Sequence, residues 1–398
     1  MLQKVSLIPI GNIRFKRNSV VPRFNYNQGV DSVSFSGNYL SRAEVIGVIE
    51  NSKPISNSGF KGVVYRYDKA QKSYAIKIAR SSEHEFNDEA QVLKEVPADI
   101  NCQRYVDYFK HPKTGLDILV STFVEGKKGI LKNSDDFREF FNILLRLDKA
   151  NVLHGDLNMA NCLFNKDGIS LIDFGEGEIF KTGDSYDDFI YPEFVLKSNV
   201  VNLEHNGIPD CIKFWAKNGI NTYECFRNYL ISKGDYYKKH CEFLKSQDID
   251  LSDAVDYEEN YSKVLKNPSD RVIENEIRRI DSLYSFENVD TSVNFTRNPD
   301  EVIESWKLTI QKVKNQLDYI DTTLKDDSLS LDERKYFKYQ KEIMTLFYNQ
   351  FSSWSSSTFE WLNGLPFRDD LSESEKMFIE NKGKKITLPP DIAGLVLK

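Results

Sequence analysis

His154-Gly155-Asp156-Leu157-Asn158-Met159-Ala160-Asn161, followed by Asp173-Phe174-Gly175, decides how this 398-residue chain is read. Between the two lie Cys162-Leu163-Phe164, then Asn165-Lys166-Asp167-Gly168, then Ile169-Ser170-Leu171-Ile172. Apolar runs parted by Asp-Gly turn chemistry predict strand, turn, strand. A hairpin brings its own ends together, so Asn161 and Asp173 are expected side by side, close to Asp156. Asp156 has the chemistry to orient a hydroxyl nucleophile and accept its proton. Asp173 and Asn161 are oxygen ligands of the kind that Mg²⁺ (or Mn²⁺) takes beside phosphates. Together these groups meet the demands of ATP-dependent phosphoryl transfer, in which positioning and charge neutralisation matter more than covalent chemistry.

Working outward, Ile55-Ser56-Asn57-Ser58-Gly59-Phe60-Lys61-Gly62-Val63-Val64-Tyr65-Arg66-Tyr67 predicts strand, glycine-rich turn, strand. Glycines let backbone amides approach phosphate oxygens. Ser73-Tyr74-Ala75-Ile76-Lys77-Ile78-Ala79 alternates, with Tyr74, Ile76 and Ile78 on one face of a strand and Ala75, Lys77 and Ala79 on the other. A lysine between alanines is no ordinary surface lysine. From Glu83 to Leu93 the pattern predicts a helix whose Phe86, Ala90 and Leu93 share a face with Glu89. Asp117 to Gly126 predicts a buried strand ending at a glycine.

The central segment resembles the catalytic loop H-R-D-L-x-x-x-N of the protein-kinase superfamily in its wider sense, with Gly155 in place of the arginine. The resemblance extends to Gly59, Gly62 and Val64 of a G-x-G-x-x-G-x-V turn, in which Asn57 stands at the first glycine, and to a V-A-I-K-like strand at Lys77. It implies an α+β, two-lobed kinase-like fold with a small β-rich N-lobe, a helical C-lobe and a C-terminal helical extension. It implies that Lys77 contacts the α/β-phosphates, that Glu89 holds Lys77 (Glu85 being the second choice), and that the backbone of Thr122 to Val124 meets the adenine edge. ATP and Mg²⁺ follow as cofactors, Asp156 as the residue that orients the nucleophile, and Asn161 and Asp173 as metal ligands. The implied domains are an arm over residues 1–44, a kinase-like domain over 45–290 divided near 121/122, and a helical extension over 291–398.

Tyr191-Pro192-Glu193 resembles the A-P-E tripeptide that closes the activation segment of protein kinases, which favours a protein substrate. The His-Gly-Asp spelling favours a small-molecule kinase acting on a sugar, aminoglycoside or lipid headgroup. A pseudokinase scaffold is the third alternative, opposed by the survival of Lys77, Asp156, Asn161 and Asp173. Gly155 removes the arginine that binds an activation-segment phosphate, so activity is expected not to need a phosphate on Thr182, Ser185 or Tyr186. Asn158 stands where serine/threonine kinases carry a lysine. Serine/threonine specificity is nonetheless expected ahead of tyrosine. Asp210, before Phe214-Trp215, is a candidate for the buried acidic landmark of the C-lobe. His154 is expected to pack near the Asp173-Phe174-Gly175 turn rather than act as the base.

A net charge of −7 argues against a nucleic-acid partner, and no stretch is apolar enough to span a bilayer. Five scattered cysteines fit reduced thiols in a cytoplasm-like compartment rather than disulfides or zinc. Lys4, Arg14, Lys16, Arg17 and Arg23 precede any acidic residue, so residues 1–44 read as a basic, mostly disordered arm. That arm is read as a flexible terminus, or as a targeting signal of the sort carried by secreted effector kinases delivered to host cells. Val302, Trp306, Ile310, Val313, Leu317, Ile320 and Leu324 recur at helical steps. Ser330-Leu331-Asp332-Glu333 then predicts a capping box opening a second helix with Tyr336, Tyr339, Ile343, Leu346 and Phe347 on one side. These two helices are expected to pack on the large lobe or to bind a protein partner. Tyr257 to Asn298 is expected to be mixed, with connecting loops.

Overall fold

The computed structural model describes residues 40–57, 59, 61–179, 199–246, 252–287 and 299–364. The class is mixed α+β: small antiparallel sheets and many helices. Helix α1 (Arg42–Asn51) opens at Ser41, whose hydroxyl accepts from the Glu44 amide while the Glu44 carboxylate accepts from the Ser41 amide. The last residues expected in the basic arm therefore belong to a capped helix, because a capping box satisfies the otherwise unpartnered amides of its first turn.

Strands β1 (Gly62–Lys69), β2 (Lys72–Ala79), β3 (Tyr105–Lys110) and β4 (Asp117–Thr122) form one sheet in the order β1-β2-β4-β3. The strand expected before the glycine turn is reduced to one bridge, Ser56 to Val64, and Ser58 and Phe60 lie outside the described residues. One face of the sheet packs Tyr74, Ile76, Phe109, Ile118 and Val120 against Val45 and Val48 of α1. The opposite face carries Lys77 and meets α2 (Asn87–Glu95). Glu83 to Glu85 lie ahead of α2 rather than inside it. There the Phe86 amide donates to the buried Asp117 carboxylate at 3.0 Å, which fixes the chain's entry into the helix.

A second, larger core runs from α2 through α3 (Ser134–Lys149) and into the helices beyond it. Asn133 caps α3 by accepting from the amides of Asp135 and Asp136. Phe137, Phe140 and Leu144 are fully buried, each removal from water contributing about 2–3 kcal/mol. Strands β5 (Lys127–Lys128), β7 (Cys162–Asn165) and β8 (Gly168–Leu171) make a second sheet, and β6 (Val152–Leu153) pairs with β9 (Glu178–Ile179). The expected hairpin is β7–β8, with Asn165 opposite Gly168 and Cys162 opposite Leu171.

Helices α4 (Asn199–Asn206), α5 (Ile208–Lys217), α6 (Thr222–Leu244), α7 (Ser252–Leu265), α8 (Asp270–Glu287), α9 (Pro299–Thr323) and α10 (Leu331–Gly364) follow. Of the stretch from Tyr257 to Asn298 expected to be mixed, residues 257–287 are helical apart from a short joint between α7 and α8, and residues 288–298 lie outside the described residues. The apolar pattern was blurred because α8 buries charge. Lys233 bridges Glu204 at 2.6 Å and Glu276 at 2.9 Å, and Arg279 bridges the same two carboxylates at 2.7 and 2.8 Å. Burial opposes ionisation of both glutamates, but the two cations overcome it and lower both pKa values. The Tyr336 hydroxyl of α10 completes the cluster by donating to Glu276 at 2.7 Å.

Helices α9 and α10 have the predicted periodicity, and the capping box forms, with the Glu333 amide donating to the Ser330 hydroxyl at 3.2 Å. The buried face of α10 runs through Tyr336, Phe337, Gln340, Ile343, Met344 and Phe347, and Leu346 points outward instead. Trp306, Val313 and Ile320 of α9 and Tyr336, Phe337, Ile343, Met344 and Phe347 of α10 belong to the same core as α3 and α4. All five cysteines are free and buried. Among the described residues, no helix is long and apolar enough to cross a membrane.

Candidate active site

Three distant segments meet at Lys77. Its Nζ donates to Glu89 Oε2 at 2.8 Å and to Asp173 Oδ1 at 2.9 Å, and it lies 5.0 Å from the centre of the Phe86 ring. The strand alternation supplies Lys77 and the α2 face supplies Glu89, which is 4% exposed and also accepts from Gln103. Glu85 is exposed and takes no part in this pair. Burial alone would discharge Lys77, but Glu89 and Asp173 reverse the balance and raise its pKa. The same contact holds the Asp173 carboxyl below the usual range against burial.

The hairpin delivers the other half. The Ile172 amide donates to the Asn161 carbonyl at 3.0 Å, so the residue before Asp173 is stitched to the predicted metal ligand. Asn161 Nδ2 donates to Asp156 Oδ2 at 2.9 Å and to the Asp156 carbonyl at 3.0 Å. With the amide nitrogen engaged there, Oδ1 is the acceptor atom of the Asn161 side chain. Asn158 Nδ2 donates to the second Asp156 oxygen at 2.8 Å, and Asn158 Oδ1 accepts from the amides of Ala160 and Asn161. Both carboxylate oxygens of Asp156 are thereby oriented. Burial raises the Asp156 pKa, helped by the nearby charges of Asp173 and Glu176 and opposed by the two amide groups. A carboxylate raised in this way is the stronger proton acceptor.

His154 is buried, 4.3 Å ring to ring from Phe174. Its Nδ1 accepts from the Asp156 amide at 3.3 Å, so Nε2 carries the proton and donates to the Ile172 carbonyl at 3.1 Å. Burial lowers its pKa to about 4 and keeps it neutral. Gly155 has φ +82°, and a Cβ there would collide with the Glu176 backbone. Glycine is required by that close approach, whatever the resemblance says of an arginine. Asp173 also sits at positive φ (+62°), a strained position typical of functional sites.

The glycine turn lies over Lys77. A Cβ on Gly62 would sit 2.8 Å from the Phe86 ring and 3.3 Å from Lys77 Cγ, and one on Gly59 would sit 2.9 Å from the Gly62 carbonyl. Val64 pairs in register with Lys77. Asn57, at the first glycine position, offers its backbone carbonyl and Oδ1 to Arg80, which also donates to the Gly59 carbonyl at 2.8 Å. Thr122 and Val124 lie at and just beyond the end of β4. The Thr122 amide is engaged with the Arg104 carbonyl and the Phe123 amide with Ser73, which narrows the polar groups of this stretch that can meet a ligand toward Val124.

The clasp behind the loop from His154 to Asn161 gives no clear signal in the sequence. Asn199 Oδ1 accepts the His154 amide at 2.9 Å, while its Nδ2 donates to Asp148 at 2.7 Å and to the Val152 carbonyl at 2.8 Å. One turn later, Asn202 Oδ1 accepts the Leu157 amide at 2.5 Å and its Nδ2 donates to the Gly155 carbonyl at 2.9 Å. Asp210, the landmark expected from sequence, is half-exposed on α5 and paired with Lys213. The only sequence signal for the true clasp is two asparagines three apart at a helix start. Tyr191-Pro192-Glu193, Thr182, Ser185 and Tyr186 lie outside the described residues.

Among the described residues no group of three or more His, Cys, Asp and Glu is arranged to hold a metal ion. Asn161 and Asp173 supply oxygens only. Such a pair fits a hard cation whose other ligands come from phosphates and water. No family model matches the chain, and no curated protein matches it.

Proposed function

We propose that this protein is an ATP-dependent phosphotransferase with a two-lobed, protein kinase-like fold, acting on a hydroxyl of a protein substrate, serine or threonine ahead of tyrosine. The observation that carries the reading is Lys77 bridging Glu89 and Asp173 while Asn161, stitched to the same hairpin, orients Asp156. A dead scaffold has no use for a buried ammonium held by two carboxylates beside a third, oriented one.

Each residue has one task. Lys77, kept charged by Glu89, binds the α/β-phosphates. Asn161 Oδ1 and the Asp173 carboxylate hold Mg²⁺ (or Mn²⁺), which when bound neutralises phosphate charge. Gly59 and Gly62 admit the phosphates under the turn, Val64 backs it, and Val124 and Thr122 border the base. Asp156 orients the acceptor hydroxyl and takes its proton, and Asn158 and Asn161 keep it from rotating away.

A small-molecule acceptor is the second reading. Gly155, pressed against Glu176 in a left-handed conformation, leaves no cation for an activation-segment phosphate. The test offers radiolabelled ATP to the protein alone, to generic protein substrates and to small hydroxylated acceptors. Asp156→Asn should lower kcat by roughly 10²-fold or more, within the range general-base catalysis supplies, and leave nucleotide affinity within about twofold. Equal turnover from that variant would defeat the assignment.

A further inference from the structure

Lys61, at the tip of the glycine turn, reaches across the cleft. Its Nζ donates to the Gly175 carbonyl at 3.0 Å and pairs with the Glu176 carboxylate. We propose that Lys61 is a phosphate-binding residue that takes the terminal phosphate of the nucleotide, in the role left empty by Asn158. The inference rests on the phosphotransferase reading above.

Position comes first. A Cβ on Gly175 would lie 3.2 Å from Asp173 Oδ1 and 3.5 Å from both Lys77 Nζ and Glu89 Oε2, so the carbonyl that Lys61 holds belongs to the residue packed on the metal ligand and the strand lysine with its glutamate. The side of the cleft follows from Glu176. Its backbone presses on Gly155, immediately before Asp156. Lys61 is thus tied to the residue whose backbone packs beside the Asp156 loop, whereas Lys77 is tied to Glu89 and Asp173. The transferring phosphoryl must lie between donor and oriented hydroxyl, which is the Asp156 side.

Charge comes second. Glu89, Asp156, Asp173 and Glu176 gather here against two lysines, Lys61 and Lys77. Asn158 brings no charge, and its amide is committed to Asp156. A triphosphate entering this acidic cleft needs a cation near its far end, and Lys61 is placed to supply it.

Mobility comes third. Arg80 grips the turn from the carbonyl side, at Asn57 and Gly59, and Gly62 packs on Lys77, so the base of Lys61 is fixed. Its tip is not. The Lys61 side chain is 33% exposed and its Glu176 partner 59%, so the pair is screened and weak. A phosphate, a stronger acceptor, displaces such a partner.

The test is calorimetric titration of the full-length protein with a non-hydrolysable β,γ-imido ATP analogue and with ADP, each with Mg²⁺, with melting curves confirming that every variant is folded. Lys61→Ala should weaken the analogue about tenfold and ADP by less than about twofold, the loss expected for one charge-assisted hydrogen bond. Lys61→Arg should retain most of the affinity. Glu176→Gln, which removes only the resting partner, should hold or tighten analogue binding. Equal weakening of both nucleotides by Lys61→Ala, no weakening at all, or a Glu176→Gln loss matching that of Lys61→Ala overturns the inference and makes the pair a structural latch. Those outcomes leave phosphotransfer by radiolabel standing. A wild-type protein that binds neither nucleotide overturns both readings.

Discussion

Asn199 is buried to 1% exposure and makes three hydrogen bonds, to the His154 amide, the Asp148 carboxylate and the Val152 carbonyl. Asn199→Ala strands one donor and two acceptors away from water. At about 1–2 kcal/mol for each buried group left without a partner, the loss should be about 3–6 kcal/mol. Asn199→Asp restores an acceptor for His154 but sets a carboxylate at hydrogen-bond distance from Asp148, whose pKa burial already raises. Two facing carboxylates ionise together only at a cost, so this variant should be weak at pH 7 and recover toward pH 5. The decisive case is the exchange Asp148→Asn with Asn199→Asp. Asn at 148 can then donate to Asp at 199 and still accept from Tyr236, whose hydroxyl donates to that side chain at 2.7 Å in the native protein. Urea unfolding followed by fluorescence is the assay, with Trp215 in the same core as reporter. The exchange should recover at least half of what Asn199→Asp loses. A cost below about 1 kcal/mol for Asn199→Ala, no more than one ordinary hydrogen bond, would refute the clasp, as would an exchange no better than its single component.

Gly155→Ala should destabilise by at least about 1–2 kcal/mol, the left-handed backbone penalty alone, with displacement of Glu176 adding to it; a neutral melting curve would contradict the contact. His154 sets a pH dependence. Its pKa is lowered to about 4 from an ordinary 6.5, so between those values the unfolded chain binds the proton that the folded protein refuses. Stability from this residue is complete above pH 6.5 and is lost as pH falls toward 4, by about 3 kcal/mol in all. His154→Gln, which can still donate to the Ile172 carbonyl, should flatten unfolding free energy over that window, and an unchanged slope would show that other groups carry it.

Much of the site was legible because its signals are local. Strand alternation puts Lys77 on the face away from Tyr74 and Ile76, the kinase resemblance with Leu93 one turn on selects Glu89 over Glu85, and the Asp167-Gly168 turn joins Asn161 to Asp173. What was not legible depends on partners far along the chain. Asn199 and Asn202 have no chemistry of their own until the loop from His154 to Leu157 lies over them. Lys61 looked like part of a turn, because nothing local says that its ammonium crosses to Glu176. The stretch that holds α8 reads as mixed because Glu276 and Arg279 break its apolar rhythm, and Lys233, Glu204 and Tyr336, from other helices, make their burial tolerable. The missed features share one property: a polar side chain whose meaning is fixed by tertiary contact.

The Tyr336–Glu276 bond has a consequence for how the molecule is made. Sixty positions separate the two residues. At about 5–20 residues per second, the ribosome releases the tyrosine roughly 3–12 seconds after the glutamate. During that interval the nascent chain carries Glu276 with Lys233 and Arg279 but without the Tyr336 hydroxyl, and without Phe337 of the shared core. A message cut short upstream of residue 336 would therefore yield a half-closed body for proteases and chaperones, however intact the segments that carry Lys77, Asp156 and Asp173.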